Sequence, residues 1–249
     1  MTDPALIVIV VATFLLAGLV KGVIGMGLPT VALGVLAVAT DLSIAMALMI
    51  APSLVTNLMQ AITGGHLRAI LRDHWLFLLS ALACIWVGGL ALNRVDLGLL
   101  SGVLGLSLVI YAAAGLLGVR LAISPRPLAA LPFGALNGVL TGMTGSFIVP
   151  SVMYLQASGL GRDALVQAMG VVFLASTVML AIVLRQNTFL TDELGITSLA
   201  AILPAVAGMY LGQLVRHQLS ETMFRRIFLL STLALGGYLT VRAGLLTLA

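Results

Sequence analysis

Charged residues are scarce in this chain: Asp, Glu, Lys and Arg make up 8% of the 249 residues, whereas 61% are hydrophobic. Ordinary soluble domains carry about a quarter charged residues. A soluble globular domain is therefore excluded, and the long uncharged runs predict an all-α polytopic membrane protein. Because the loops between these runs are short, we expect the function to lie in the membrane part itself.

Residues that usually carry enzyme chemistry are also few. The single cysteine, Cys84, lies in an apolar run, which excludes a disulfide framework and a thiolate metal site. No Asp or Glu lies deep in a predicted crossing, and His66, His74 and His217 fall in predicted loops, so Ser146 has no base. We therefore expect no enzyme activity, no metal and no cofactor. The N-terminus lacks a basic segment, and we expect no cleaved signal.

Six apolar runs, each close to the roughly 20 residues that cross a bilayer, predict single crossings. They are Ser43–Thr63, Trp75–Leu92, Leu97–Val119, Ala164–Leu184, Ile196–Val215 and Ile227–Leu246. Two longer runs, Ala5–Thr40 and Leu128–Ala157, need a different explanation.

Arginine placement predicts the orientation, since Lys and Arg favour cytoplasmic loops. Arg94, Arg185 and Arg242 would face outward, and the net charge of +4 reflects this bias rather than nucleic-acid binding. We expect a multi-pass protein of the bacterial inner membrane with both termini outside the cytoplasm. The eight arginines assigned to cytoplasmic loops are Arg68, Arg72, Arg120, Arg126, Arg162, Arg216, Arg225 and Arg226.

Both ends of the second long run border cytoplasmic loops, so this run must enter the membrane and return. We predict a short re-entrant helical hairpin, broken around Gly138–Gly145. The first long run has a similar glycine and proline pattern about 120 residues earlier. Each half, residues 1–122 and 123–249, is then a short broken or re-entrant helical hairpin plus three transmembrane helices. Five helical pieces per half make the second half inverted, and interrupted segments at matching places indicate a transporter's binding site.

Lys21 is the only lysine, and it lies within the uncharged run Ala5–Thr40. An ammonium at bilayer depth is costly and usually faces a partner, a cavity or a substrate. It could instead snorkel to the interface or act as one more cytoplasmic charge. Aligning Gly22 with Gly138 pairs Lys21 with Asn137 in the other half. One cation facing one amide would suit a small oxyanion.

The candidate site residues are glycines, a proline and small polar groups near the breaks. Glycine frees the backbone, and a half-helix that begins at depth presents unpaired N–H groups to an anion. The same glycines could simply allow close helix packing, and the polar groups could bond neighbouring helices. The candidates are Lys21, Gly22, Gly25, Gly27, Pro29, Asn57, Asn137, Thr141, Gly142, Thr144, Gly145, Ser146, Ser176 and Thr177.

The segments Lys21–Thr30 and Gly138–Pro150 carry the glycine and proline pattern of a known family. Together with Tyr154–Gln156 and Asp163–Gly170, they make the chain resemble the TauE/SafE family of bacterial sulfite and organosulfonate exporters. The resemblance implies export of small sulfur-containing anions across the cytoplasmic membrane. The chain departs from the family pattern in that the glycine triplet of each loop is interrupted.

We expect an anion carrier that works by alternating access, with its site between the two hairpins near the midplane. The expected partners are a small anion such as sulfite or sulfoacetate, the lipid bilayer, and a second copy of the chain in a homodimer. Two other functions fit the same sequence. One is an anion channel, and the other is a non-transporting assembly or scaffold protein whose glycines only pack helices.

Overall fold

In the computed structural model, which describes residues 4–119, 127–216, 218 and 220–248, all regular structure is helical. The predicted all-α class is confirmed. Arg120, Arg126, His217 and the two chain ends, on which part of the expected topology rests, lie outside the described residues. In chain order, the α-helices of the described residues are α1 (Pro4–Ile24), α2 (Leu28–Ala39), α3 (Leu42–Ile62), α4 (Leu67–Gly89), α5 (Leu97–Leu117), α6 (Ala130–Thr144), α7 (Ser151–Ala157), α8 (Arg162–Gln186), α9 (Asp192–Ala200), α10 (Ile202–Val215) and α11 (Glu221–Leu248). A 3₁₀ turn at Pro127–Ala129 precedes α6.

Seven helical stretches of the described chain are long and apolar enough to cross a membrane. Each of the six predicted crossings falls on one of them, and the seventh is α1. Because α1 has 21 residues, about 32 Å of helix, the first arm is not the short piece that we predicted. The stretches are Pro4–Ile24, Leu42–Ile62, Leu67–Gly89, Leu97–Leu117, Arg162–Gln186, Asp192–Val215 and Thr222–Leu245.

The start of α4 corrects a second prediction. We placed His74 in a loop, but α4 begins at Leu67 and encloses it. The imidazole is 5% exposed, and its Nδ1 lies 3.1 Å from the hydroxyl of Tyr154. The helix starts eight residues before the apolar run because Ile70 and His74, four residues apart on one face, are buried, whereas Arg68, Arg72 and Asp73 are exposed.

The first long run breaks at two glycines in the left-handed conformation. Gly25, with φ 81°, follows α1, and its N–H donates to the carbonyl of Lys21 at 2.7 Å. Gly27, with φ 106°, precedes α2. Pro29 then falls in the first turn of α2, where a helix needs no N–H donor. The predicted interruption of this run is present.

The second long run breaks later than we predicted. Helix α6 continues through Gly138 and Gly142, and the break lies at Gly145–Pro150 rather than Gly138–Gly145. Gly145 adopts the left-handed φ of 74° that ends the helix. A Cβ at Gly138 or Gly142 would instead collide with the backbone of α4. These two glycines therefore serve close helix packing, which a sequence pattern alone does not distinguish from a turn.

Each half packs its first helix on a late helix of the other half. Helix α1 lies on α10 and α6 lies on α4, while α3 packs with α8 and α5 with α11. A Cβ at Gly18 would meet the carbonyl of Ala205, and a Cβ at Gly138 would meet that of Ala81. The division of the chain into repeats of residues 1–122 and 123–249 stays a prediction. The inversion of one half relative to the other stays a prediction.

The matching ends of α1 and α6 also correct which residue of the second half corresponds to Lys21. The carbonyl of Lys21 accepts the N–H of left-handed Gly25, and the carbonyl of Thr141 accepts that of left-handed Gly145, both at 2.7 Å. The structural counterpart of Lys21 is therefore Thr141 and not Asn137. The glycine spacing misled us because both halves repeat glycine every four residues.

Candidate functional site

Lys21 lies in the last turn of α1, with its ammonium buried against α3. The residue is 2% exposed. Its Nζ donates to Thr56 Oγ1 at 3.1 Å and to Asn57 Oδ1. Both partners are completely buried. The ammonium is thus fixed inside the protein by neutral oxygens instead of extending to the surface.

Lys21 has no ion-pair partner among the residues that the structure describes. The ion pairs between described residues join exposed side chains, Arg72 with Asp73 and Arg185 with Asp192, each at 2.8 Å. Buried charges are normally paired, because burying an isolated ion is costly. Two neutral oxygens, Thr56 Oγ1 and Asn57 Oδ1, solvate the ammonium but do not compensate its charge.

An open cavity of about 590 Å³ lies beside Lys21. This volume is within the roughly 300–1,000 Å³ of small-molecule sites. Of the candidate residues predicted from the sequence, Lys21, Gly22 and Gly25 line it. The other lining residues come from the ends of α3, α8 and α10 and the loop after α3: Met59, Gln60, Thr63, Gly64, Asp163, Val166, Met209, Tyr210, Gln213 and Arg216.

Gln60 lies on the cavity wall and holds the broken end of α1. Its Nε2 donates to the carbonyl of Gly25 at 2.6 Å. Its Oε1 is buried and has no hydrogen-bond partner. A Cβ at Gly25 would press on Val166 of α8. Helices α1, α3 and α8 therefore meet at this one point beside the ammonium.

A proline in α3 positions the two residues that hold Lys21. Pro52 has no N–H, so the carbonyl of Leu48 loses its helical partner. Ser198 of α9 replaces that partner: its Oγ donates to the Leu48 carbonyl at 2.8 Å and accepts from the N–H of Ala51 at 3.0 Å. Thr56 Oγ1 donates to the carbonyl of Pro52 at 2.7 Å. The α3 backbone is thus satisfied through the stretch that leads to the site.

Asn57 joins the two halves at the contact of α3 with α8. Its Nδ2 lies 3.5 Å from Thr177 Oγ1. Thr177 and its neighbour Ser176 are the residues that the repeat aligns with Asn57 and Thr56, and both are buried. Two positions 120 residues apart, which is the offset predicted for the repeat, therefore touch each other.

The polar candidates of the second half bind the backbone of their own break. Asn137 Nδ2 donates to two carbonyls of the break at 2.9 and 3.3 Å. Thr141 Oγ1 donates to the carbonyl of Ser146 at 3.0 Å, and the N–H of Ser146 donates to Thr144 Oγ1 at 3.2 Å. These donors are already used, so the structure gives them a local role in shaping the break.

The remaining candidates do not line the cavity beside Lys21. Gly142 packs against α4, and Gly145 packs against Met46 of α3. Gly27 packs against α1 and α11, and Pro29 is buried in the first turn of α2. A substrate contact by these residues stays a prediction.

A comparison with protein-family models places the chain. A model described as "Sulfite exporter TauE/SafE" matches residues 10–239. The chain belongs to the TauE/SafE family. Neither a curated protein nor a solved structure matches the chain significantly. The match runs from the middle of α1 into α11, so it includes Lys21, both breaks and the α3–α8 contact.

Membership of the TauE/SafE family makes this protein a membrane transporter.

The structure also brings a residue close to the site that the sequence did not indicate, Ser198 of α9. Ser198 does not lie near either glycine cluster, so no local motif marked it. The available signal was Pro52 inside a predicted crossing, since a proline there requires another group to satisfy the freed carbonyl. The identity of that group depends on a helix contact between residues about 150 positions apart.

Proposed function

We propose that this protein exports small sulfur-containing anions, sulfite or a sulfonate, with Lys21 as the charged centre of its site. The observation that carries this function is the cavity beside an ammonium that has no carboxylate partner in the described chain. In the interior the attraction between unlike charges is several times stronger than in bulk water. An anion that binds there compensates the charge of Lys21.

The position of the cavity supports loading from the cytoplasm. Its lining reaches the loop after α3, the start of α8 and the end of α10. These segments adjoin Arg68, Arg72, Arg162 and Arg216, which the positive-inside rule assigns to the cytoplasm. An exporter must take up its substrate from that side.

The corresponding approach from the other half is closed. Gly145, the counterpart of Gly25, is surrounded by Met46, Met49 and Leu33, and Phe147 is fully buried. In one end state of an alternating-access carrier, the site is open to one side of the membrane and closed to the other. The open cavity at the first break and the tight packing at the second break fit such a state. Transport would open the second break as the first closes, with rearrangement at the contact of Asn57 with Thr177.

Flux measurements on purified protein test this function. Proteoliposomes are loaded with sulfite or methanesulfonate and compared with empty liposomes and with liposomes loaded with chloride. We expect saturable efflux of the sulfur anions that is stimulated by the same anion on the opposite side. Non-saturable flux without this stimulation indicates a channel. No flux from correctly folded protein contradicts the proposal and favours a scaffold.

A further inference from the structure

The charged residues that line the cavity are unequal in burial. Among the described residues, Lys21 is the sole buried lysine or arginine. The cavity beside it also contains the exposed Asp163 and the partly exposed Arg216, which contribute one charge of each sign. The residues that line the cavity therefore have a net charge of one positive, and Lys21 is the buried cation among them.

Few neutral donors near Lys21 could help to hold a second negative charge. The hydroxyl hydrogen of Thr56 is used by the carbonyl of Pro52. The amide of Asn57 presents its oxygen to the ammonium and its Nδ2 to Thr177. Gln60 uses its Nε2 on Gly25 and leaves only an unpaired acceptor oxygen. Because Asp163 offsets the charge of Arg216, a further negative charge beside Lys21 would lack a buried counter-ion, which is strongly unfavourable.

From this charge balance we propose that the protein selects singly charged anions over doubly charged anions of the same size. The inference rests on the proposed function and narrows its substrate class. Hydrogensulfite and simple monosulfonates fit the single ammonium. The sulfite dianion, sulfate and sulfoacetate, which has both a sulfonate and a carboxylate, do not. The anion and Lys21 then form a neutral unit when the site closes around them.

Binding of probes with fixed charge tests the selection without a change of pH. Methanesulfonate and sulfate are similar in size but differ by one charge. Ethanesulfonate and 1,2-ethanedisulfonate also differ by one charge and share the same two-carbon chain, although the disulfonate is larger by one sulfonate group. We expect the monoanion of each pair to bind the purified protein at least about tenfold more tightly, which corresponds to about 1.4 kcal/mol. Calorimetry at constant ionic strength keeps salt screening the same for all four probes.

A variant that adds one more cation to the cavity wall tests the same charge balance. Gln213 is exposed on the cavity wall, so a substitution of its side chain should not disturb folding. Its backbone lies next to Gly22, the residue that follows Lys21. We expect Gln213→Lys to improve dianion binding by at least about fivefold relative to monoanion binding, roughly 1 kcal/mol. Gln186→Lys, which adds the same charge at an exposed position outside the cavity, should leave the wild-type ratio unchanged.

The outcomes separate this inference from the proposed function. Equal or tighter binding of sulfate than of methanesulfonate, together with sulfite flux, overturns the charge selection and leaves the transport function standing. An unchanged ratio in Gln213→Lys also overturns it. If neither probe binds, the inference fails, and the flux assay decides whether the proposed function fails as well.

Discussion

A chain of buried polar contacts runs along α3 from Ser198 to Lys21. Ser198 satisfies the backbone around Pro52, Thr56 donates to the Pro52 carbonyl, and Thr56 accepts from the ammonium. Because each of these groups is buried, removing one leaves its neighbour unpaired, at a cost of about 1–3 kcal/mol. The position of the charge therefore depends on a hydroxyl group in a different helix.

Ser198→Ala should lower the stability of the purified protein by about 1–3 kcal/mol and weaken anion binding. The carbonyl of Leu48 then lacks a partner, and α3 no longer holds Thr56 and Asn57 in place. Thermal unfolding in detergent and calorimetric binding measure the two effects. Ser198→Thr retains the hydroxyl group and should recover most of the binding.

Thr197→Ala is the control for this prediction. Thr197 is the neighbouring residue in α9, and its hydroxyl makes a surface contact within the helix, to the carbonyl of Glu193 at 3.0 Å. It should behave like the wild type. The same melting temperature and affinity for Ser198→Ala and Thr197→Ala would show that Ser198 does not position the site.

At the scale of helices, α1 and α6 are built in the same way. Each ends at a left-handed glycine, and each presents glycines to a helix of the other half. Small residues let two backbones approach closely, and van der Waals contact then stabilises the pair in a membrane. Gly18 and Gly138 are the clearest examples, because a Cβ at either position would collide with a carbonyl oxygen.

Gly18→Ala and Gly138→Ala should therefore destabilise the protein by similar amounts, about 1–3 kcal/mol each. Gly237→Ala is the matched control, since Gly237 lies in α11 and a Cβ there would meet no atom within 4 Å. Its helix propensity should improve, so it should be neutral or slightly stabilising. Thermal unfolding compares the three variants. A tolerated alanine at Gly18 or Gly138 would contradict the close packing.

At the scale of the whole molecule, loops assigned to the same side of the membrane lie together. The N–H of His66 donates to Gln167 Oε1 at 2.8 Å at one end of the bundle. Asn93 donates to Asn187 at the turns after α4 and α8. These contacts agree with the grouping of the loops by their arginines. The direction of the bundle in the membrane stays a prediction.

Cysteine labelling tests that direction. In a Cys84→Ala background, His66→Cys and Gln186→Cys place single thiols at exposed positions in the two groups of loops. An impermeant maleimide should label Gln186→Cys from the outside of intact cells and His66→Cys only in everted vesicles. The reverse pattern would place the cavity on the outer side and contradict loading from the cytoplasm.

The sequence was sufficient for those features that depend on neighbouring residues. Hydropathy located the crossings, and glycine with proline located both interrupted runs. Three features were not predictable in this way: the exact position of the second break, the correspondence of Lys21 in the first half with Thr141 in the second, and the role of Ser198. Each depends on which distant helix supplies a packing surface or a hydrogen bond. Lys21 itself was conspicuous in the sequence, but its neutral partners Thr56 and Asn57 became evident only from the α1–α3 contact.

Anion binding to Lys21→Met decides whether the ammonium of Lys21 holds the substrate anion. Methionine roughly keeps the volume of lysine but removes its charge, and the loss of a charge-assisted contact of about 1.5–3 kcal/mol corresponds to roughly 10- to 150-fold in affinity. Lys21→Arg retains the charge and should keep part of the binding. Arg94→Met removes an exposed cation far from the cavity and should bind like the wild type. We predict the 10- to 150-fold loss of methanesulfonate or sulfite affinity for monodisperse Lys21→Met. Wild-type affinity in that variant would show that Lys21 is not the anion site.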